Sequence, residues 1–228
     1  MAEVLGTRVD IMTRREVEQK ISAYLKVKSE KSCFIVTANA EICYRAAKDP
    51  ELRAVLNSAD LCLPDSVGAR WALRRQGIAA ELYPGVELAE WILRQGFSVY
   101  VLGAKPEVLA RLRFPNIVGK HHGFFDADAE KSILAEIQRL QPQVILAALG
   151  AGKQELWLSR HKNSLKSLLI GVGGAIDVIS GCKRRAPKIF RKAGLEWFYR
   201  LLREPQRLFR QLNLLRFCLA VLREKQGD

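Results

Sequence analysis

The sequence predicts an α/β protein with a parallel sheet, helices on both faces of the sheet and a basic, amphipathic helical appendage at the C-terminal end. Two observations predict this class. Short apolar runs end in Gly, Asn or Asp, and each is followed by a helical pattern, which is the alternation that gives parallel sheets. Most of the positive charge is confined to one terminal segment, in which apolar side chains are interleaved with the charges.

The predicted strands are short and rich in branched side chains, as strands buried on both faces tend to be. They cover residues 33–37, 61–63, 99–102, 144–149 and 168–172. Helices are predicted to begin at Ala40, Ser66, Pro106, Lys153 and Ala175. The composition changes at residues 181–187, so we predict a globular domain at residues 1–182 and the appendage at residues 183–228.

Within the appendage, residues 183–225 carry 13 of the 37 Lys and Arg residues against three Glu, so they hold +10 of the formal net charge of +13. Basic amphipathic helices lie on anionic membranes, dock to partners or bind nucleic acid. No apolar run reaches the roughly 20 residues that span a bilayer, and charges near Met1 interrupt any secretory signal. We therefore expect a cytoplasmic protein. Five cysteines without CxxC spacing argue against a structural zinc site and fit reduced, mostly buried thiols.

Polar and glycine residues follow the predicted strands, at the edge where open parallel sheets bind their ligands. Glycines at a strand-to-helix turn let a phosphate approach the backbone, and the helix behind them supplies amide donors. This pattern predicts a pocket for a nucleotide or a sugar phosphate. The candidate residues are Thr37, Asn39, Asp65, Gln154, Gly173 and Gly174.

Each of these signals has a structural alternative. The Gly-Val-Gly-Gly string at residues 171–174 lacks the spacing of a dinucleotide site, so a tight turn is the alternative to phosphate binding. Asp65 has the alternative role of capping the helix that begins near Ser66. Thr37 and Asn39 have the alternative role of satisfying backbone groups at the end of a strand.

Two further patterns are typical of metal sites. Asp126 and Asp128 form a DxD string, which many nucleotide-sugar enzymes use to hold a metal, but a helical stretch follows and favours a capping role. His121 and His122 have no third ligand at metal spacing, so we interpret them as turn or packing residues.

Five strings that together run through nearly the whole chain carry a specific resemblance. They are TANAEICYRAAKDPELRAVLNSADLCLPDSVGARWA (37–72), VYVLGAKPEVL (99–109), IVGKHHGFFD (117–126), ALGAGKQELW (148–157) and GVGGAIDVISGCKRRAPKIFRKAGLEWFYRLLREPQRLFR (171–210). They resemble the WecG/TagA/CpsF glycosyltransferases, which form glycosyltransferase family 26. The resemblance implies a Rossmann-like fold of the GT-E type. It also implies transfer of an N-acetylmannosamine-type or related sugar from a UDP donor onto a polyprenyl-diphosphate-linked sugar at the inner face of the membrane.

The resemblance also assigns roles to residues. It makes Asp65 the general base, because a sugar hydroxyl is a poor nucleophile until its proton is removed. Thr37, Asn39 and Gln154 match family positions that line the same pocket. Gly173 and Gly174 are predicted to form the phosphate turn on the backbone argument above, and not on the resemblance.

In the family, arginines of the terminal appendage reach toward the active site, and here they match Arg200, Arg207 and Arg210. We expect these guanidinium groups to neutralise the departing diphosphate without a metal cofactor. Binding to anionic lipid headgroups is the alternative role. Truncation after Gly181 is expected to abolish transfer and leave the core folded. The apolar face of the appendage predicts that the protein self-associates when it is not bound to a membrane.

Residues 82–87 read Leu-Tyr-Pro-Gly-Val-Glu, where family members usually carry an Arg shortly before the Gly of an R-x-x-G-x-D-like string. Two other classes compete with the glycosyltransferase interpretation. A nucleic-acid-binding module would show aromatic stacking platforms or a reading helix, and neither is found. A Rossmann-like oxidoreductase is disfavoured because the G-x-G-x-x-G string is absent.

Overall fold

The structure is a computed structural model that describes residues 2–27, 29–187, 189–190, 196–203 and 208–224. The first strands, β1 (Ala2–Val4) and β2 (Thr7–Val9), form a short antiparallel hairpin. Six parallel strands then form a single sheet in the order β4-β3-β8-β7-β5-β6. These strands are β3 (Cys33–Ala38), β4 (Leu61–Pro64), β5 (Val99–Gly103), β6 (Ile117–His121), β7 (Val144–Ala148) and β8 (Leu168–Gly171).

The five strands predicted from apolar runs are confirmed. The sequence patterns missed β6 and the hairpin. β6 lies at the edge of the sheet and contains Gly119 and Lys120, and its residues alternate between partly buried and exposed positions. A continuous apolar run forms only where both faces of a strand are covered, so an edge strand of this kind gives no such signal.

Nine helices surround the sheet in the part of the chain up to residue 187. They are α1 (Arg14–Lys26), α2 (Ala40–Ala46), α3 (Pro50–Asn57), α4 (Val67–Arg75), α5 (Gly85–Arg94), α6 (Pro106–Ala110), α7 (Ala127–Leu140), α8 (Lys153–His161) and α9 (Ala175–Ile179). The predicted starts of α2, α6, α8 and α9 are confirmed, and Ser66 is the N-cap of α4. The patterns did not predict α1, α3 and α5.

Successive strand side chains enter two apolar layers on opposite faces of the sheet. Phe34 and Val36 of β3 join the layer that holds α2, α3, α4, α7 and α8, whereas Ile35 joins the layer of α1, α5, α6 and α9. The helix after β8 therefore lies on the opposite face from the helices after its neighbours β3 and β7. Such a reversal opens a crevice at the carboxyl ends of the strands.

All five cysteines are unpaired thiols. Cys43 and Cys62 are buried, and the other three are partly buried. Burial raises the pKa of Cys43 to about 12, so this thiol stays protonated at neutral pH.

Two more helices lie in the C-terminal segment, α10 (Glu196–Arg203) and α11 (Leu208–Glu224). Phe217 of α11 is fully buried in the layer that contains α2 and α4. A Cβ added at Gly68 of α4 would lie 2.8 Å from the Cβ of Ala40 and 3.5 Å from Phe217, so this glycine permits the close packing of α2, α4 and α11.

The domain boundary at residue 182 stays a prediction. The burial of Phe217 and Val221 nevertheless indicates that removal of α11 would uncover α2 and α4. On the other side of α11, Leu215 is 64% exposed and Leu219 is 53% exposed. Within the described ranges, no helix has both the length and the apolar character that crossing a bilayer requires.

We expect Phe217→Ala to lower the free energy of unfolding by about 3–5 kcal/mol, because it removes an aromatic ring from a closely packed layer. Leu219→Ala is the matched control on the same helix and should change it by less than about 0.5 kcal/mol, because Leu219 is mostly exposed. Urea unfolding of the full chain measures both. Equal losses in the two variants would show that α11 does not dock through Phe217.

Candidate active site

Thr37 lies at the carboxyl end of β3 and is 5% exposed. Its Oγ1 donates a hydrogen bond to the carbonyl oxygen of Gly171 at 3.0 Å, which joins the ends of β3 and β8. A Cβ added at Gly85, the first residue of α5, would lie 3.3 Å from the same Oγ1. Thr37 is therefore held between β8 and the amino end of α5.

Asp65 directly follows β4 and is partly buried. Its amide donates to the carbonyl oxygen of Ala38 at 3.0 Å, and its carboxylate oxygen Oδ1 accepts from the Gly85 amide at 3.0 Å. The carboxylate thus lies at the positive end of the α5 dipole, where an anion is stabilised. Because Gly85 contacts both side chains, Asp65 and Thr37 lie next to each other.

From the sequence, the alternative role of Asp65 is to cap the helix that begins near Ser66. Ser66 takes that role itself, since its Oγ accepts from the Ala69 amide at 3.2 Å and from the Ala40 amide at 3.0 Å. Asp65 instead binds the first amide of α5, 20 residues further along the chain. The carboxylate is therefore directed toward α5 and the end of β3.

Asn39 is the N-cap of α2, and its Oδ1 accepts from the Ile42 amide at 3.1 Å. The backbone roles proposed for Thr37 and Asn39 as alternatives are therefore present in the structure. These bonds also fix the two side chains at the carboxyl edge of the sheet, beside Asp65.

Gln154 and Glu155 lie in the first turn of α8 and are both buried, at 4% and 1% exposure. Gln154 donates from Nε2 to Oε1 of Glu155 at 2.8 Å and accepts at Oε1 from the Gly173 amide at 3.1 Å. Glu155 accepts at Oε2 from the Gly152 amide at 2.7 Å. Burial raises the pKa of the Glu155 carboxyl above its ordinary value, although these bonds and the nearby charge of Arg45 oppose the rise.

Gly173 and Gly174 form the turn between β8 and α9. The Gly173 amide is engaged within the protein by Gln154, and Gly173 has a φ of 50°, which favours glycine. Gly174 is exposed, and a Cβ there would lie 3.6 Å from Oδ2 of Asp177. The turn thus lies next to Gln154, and the phosphate-binding role of Gly173 and Gly174 stays a prediction.

Arg45, in the last turn of α2, donates from Nη1 to the carbonyl oxygen of Ala151. A Cβ at Gly152 would lie 2.8 Å from Nη2 of the same guanidinium, and the φ of 84° at this position favours glycine. The sequence analysis missed Arg45 and did not single out Glu155. The spacing from Gly152 to Glu155 is that of an N-cap to its N3 residue, which is a recognisable helix-start signal.

Three charged side chains meet at the first turn of α5. The carboxylate of Glu87 accepts from Arg14 of α1 and from Arg185, which follows α9. Nε of Arg14 also donates to the carbonyl oxygen of Leu82 at 3.0 Å. A guanidinium group therefore reaches the backbone of Leu82.

Arg207 lies outside the described residues. Arg200 and Arg210 lie in α10 and α11, but their side chains are also outside the description. The proposed action of these three arginines on a diphosphate stays a prediction.

Asp126 caps α7, since its Oδ1 accepts from the Ala129 amide at 2.9 Å. Asp128 is exposed and pairs with Lys131 at 2.8 Å. The capping interpretation of the DxD string is confirmed for Asp126. His121 is the last residue of β6, and its Nδ1 contacts the His122 carbonyl oxygen at 2.8 Å. Among the residues that the structure describes, no group of three or more His, Cys, Asp or Glu side chains has the arrangement to hold a metal ion.

The fold and the site define an α/β enzyme whose polar side chains meet at the carboxyl edge of a parallel sheet. The family follows from comparison with known sequences. Residues 2–228 match the model of the Glycosyl transferase WecG/TagA/CpsF family, and the chain belongs to this family of glycosyltransferases. The resemblance found in the sequence is confirmed, as is the predicted α/β fold class.

Similar proteins include two that are named N-acetylglucosaminyldiphosphoundecaprenol N-acetyl-beta-D-mannosaminyltransferase. They come from Staphylococcus aureus strain MW2 and from Staphylococcus aureus strain NCTC 8325 / PS 47. Each is 32% identical to this chain over 238 residues, which covers 98% of this chain and 93% of the relative. The chain therefore spans nearly the full length of these relatives.

The charge cluster at α5 predicts a specific pH dependence of stability. Burial alone would raise the pKa of Glu87, but the guanidinium groups of Arg185 and Arg14 hold it below its ordinary value of 4.5. A carboxyl group whose pKa is lowered by folding stabilises the folded protein at pH values above its unfolded-state pKa. This stabilisation is lost as the pH falls through the folded-state pKa. The free-energy difference between the native protein and Glu87→Gln should therefore be largest near neutral pH and shrink below about pH 4.5.

Urea unfolding at a series of pH values from about 7 to about 3 measures this difference. Glu107→Gln is the control, since its carboxylate is 66% exposed and lies 3.9 Å from Lys105. Glu107→Gln should change the pH dependence of the free energy of unfolding little, because exposed ion pairs contribute little stability. A Glu87→Gln curve that runs parallel to the native curve at all pH values would contradict the proposed origin of the effect.

Proposed function

We propose that this protein transfers N-acetylmannosamine from a UDP donor to the N-acetylglucosamine of an undecaprenyl-diphosphate-linked acceptor, in the synthesis of teichoic acid or a related surface polysaccharide. The support for the substrates is the activity for which relatives that match 98% of the chain are named. The observation that carries the mechanism is the Asp65 carboxylate, which the first amide of α5 orients beside Thr37 at the carboxyl edge of the sheet.

The proposed reaction is a single displacement with inversion at the anomeric carbon. Asp65 removes the proton from the acceptor hydroxyl as that oxygen attacks the anomeric carbon of the donor. The new bond between carbon and oxygen forms as the bond from the anomeric carbon to the diphosphate breaks, and UDP leaves with the electron pair. Asp65 then carries the proton, which it returns to solvent.

The departing diphosphate gains negative charge, which must be stabilised where it develops. We propose that Arg200, Arg207 and Arg210 supply this stabilisation without a metal. The ends of their segment support the idea, because both are anchored near the carboxyl edge. Arg185 pairs with Glu87 in the first turn of α5, and α11 packs against α2 and α4, which begin directly after β3 and β4.

The exposed side of α11 supports a place at an anionic membrane surface. Leu215, Leu219 and Leu222 recur at helical spacing and are exposed, and Arg216 and Arg223 are exposed on the same helix. Apolar residues flanked by arginine are typical of helices that lie in the interface of anionic lipids. A lipid-linked acceptor requires such a location, which we place at the cytoplasmic face, where the UDP donor is available.

We expect Asp65→Asn to lower kcat by a factor on the order of 10²–10⁴, which is the usual contribution of a general base. The amide oxygen of the variant still accepts from the Gly85 amide, so the fold at α5 is retained. The assay follows UDP release from UDP-N-acetylmannosamine in the presence of a lipid-linked N-acetylglucosamine acceptor. Full activity of Asp65→Asn would exclude its proposed role as the base.

Asp128→Asn is the matched control, because it makes the same change at an exposed residue that pairs with Lys131. We expect its turnover to equal that of the native protein, with and without a chelator. Loss of turnover in Asp128→Asn or in the presence of the chelator would instead favour a metal held by the DxD string.

The membrane proposal predicts that the double variant Leu215→Glu/Leu219→Glu sediments less with vesicles of phosphatidylglycerol and phosphatidylcholine than the native protein. Acidic side chains at these exposed positions remove apolar contact and repel anionic lipid. Val27→Glu makes the same kind of change at a residue that is 68% exposed at the end of α1, and it should sediment normally. A gel shift with random duplex DNA in place of vesicle binding would favour the nucleic-acid alternative.

A further inference from the structure

Glu155 is an acidic residue that the proposed reaction does not use, and it is almost completely buried, with an exposure of 1%. A carboxyl group in such a place is costly unless its oxygens receive hydrogen bonds. Both oxygens are occupied by donors, since Oε2 accepts from the Gly152 amide and Oε1 accepts from Nε2 of Gln154. Glu155 is therefore tied to the turn that precedes α8.

Gln154 extends this connection to a second turn. Its Oε1 accepts from the Gly173 amide at 3.1 Å, while the carbonyl oxygen of Ala147 is a more distant acceptor for that amide at 3.4 Å. A continuous series of bonds thus runs from the turn before α9, through Gln154 and Glu155, to the turn before α8. The carboxylate at one end determines which way the Gln154 amide faces.

The two side chains pack directly against the end of β8. A Cβ added at Gly171 would lie 2.6 Å from Nε2 of Gln154 and 2.8 Å from Oε1 of Glu155. The carbonyl oxygen of Gly171 accepts from Thr37. The buried pair therefore lies directly behind the residues that line the carboxyl edge.

Only a side chain that accepts on both ends fits position 155. A glutamine there presents one acceptor oxygen and one NH2 group, which can only donate, but two donors point at the side chain, from Gly152 and from Gln154. If its oxygen accepts from Gln154, its amide nitrogen faces the Gly152 amide. If the glutamine oxygen at position 155 accepts from the Gly152 amide, the NH2 group of that glutamine faces Gln154. Gln154 must then turn its own oxygen toward position 155 and release the Gly173 amide.

We propose that Glu155 is a positioning residue for the transfer reaction. Acting through Gln154, it holds the turns before α8 and α9 in the shape that receives the UDP donor. The functional part of this inference rests on the proposed function. The structural part does not, because it concerns the bonds of Gly152 and Gly173 in the protein without substrate.

Amide hydrogen exchange of the full chain, followed by NMR, tests the structural part. In Glu155→Gln we expect exchange at Gly152 or Gly173 to rise by about tenfold or more, because either the Gly152 amide loses its buried acceptor or the Gly173 amide keeps only the more distant Ala147 carbonyl oxygen. Glu136→Gln is the matched control. It changes a carboxylate that accepts from Tyr100, near the amino end of β5, and should leave exchange at both glycines unchanged.

The double variant Gln154→Glu/Glu155→Gln swaps the two side chains and is expected to restore slow exchange. A role of Glu155 that depended only on the volume of its side chain would not predict this rescue. The amide side chain now at position 155 would accept from the Gly152 amide and donate to the carboxylate now at position 154. That carboxylate would in turn accept from the Gly173 amide. All the bonds are restored with the same net charge, so we expect slow exchange at both glycines to return. Unchanged exchange in the single variant, or a double variant that exchanges fast or fails to fold, would overturn the inference.

Kinetics then separate this inference from the proposed function. We expect Glu155→Gln to raise the KM for UDP-N-acetylmannosamine by about tenfold, the effect of one lost hydrogen bond to a charged group, with a smaller change in kcat. A lowered kcat with an unchanged KM would overturn the positioning role. Absence of turnover in the native protein would count against the proposed substrates, while the exchange result would still decide the role of Glu155 in the two turns.

Discussion

Backbone groups at the ends of buried strands and at the starts of helices must find hydrogen-bond partners, and this requirement shapes the whole carboxyl edge of the sheet. Several of these partners are side chains of the site. Thr37 satisfies the last carbonyl of β8, Asn39 and Asp65 satisfy the first turns of α2 and α5, and Glu155 satisfies the amide before α8. The residues that form the candidate active site are therefore also residues that close the fold at this edge.

Gly85 shows how one small residue allows this arrangement. Its amide binds Asp65, and the space where a side chain would begin lies 3.3 Å from Thr37. A hydroxyl and a carboxylate from neighbouring strands can therefore lie together under the amino end of a helix. The helix α9 lies on the opposite face from α2 and α8, and in open α/β sheets such a reversal marks the crevice at the strand ends where ligands bind.

The sequence predicted the parts of the structure that depend on local pattern. Apolar runs revealed the five strands that are covered on both faces, and the residues after those runs include Thr37, Asn39, Asp65 and Gln154. The partners of these residues could not be predicted in the same way, because they come from distant parts of the chain. Gly85 is 20 residues from Asp65, and Arg185 is 98 residues from Glu87. No periodicity or spacing connects such positions, since only the packing of helices on the sheet brings them together.

The two sides of α11 have a geometric consequence. Phe217 and Leu219 are two positions apart, which is about 200° around a helix, so the buried side and the exposed leucines face in nearly opposite directions. A helix with side chains is about 10–12 Å thick, and this thickness would set the distance from the lipid surface to the α2 and α4 layer. A bilayer that receives the leucines would therefore hold the molecule at one fixed height and tilt. A pyrophosphate group that protrudes from the lipid would then meet the protein at a constant distance from the membrane surface.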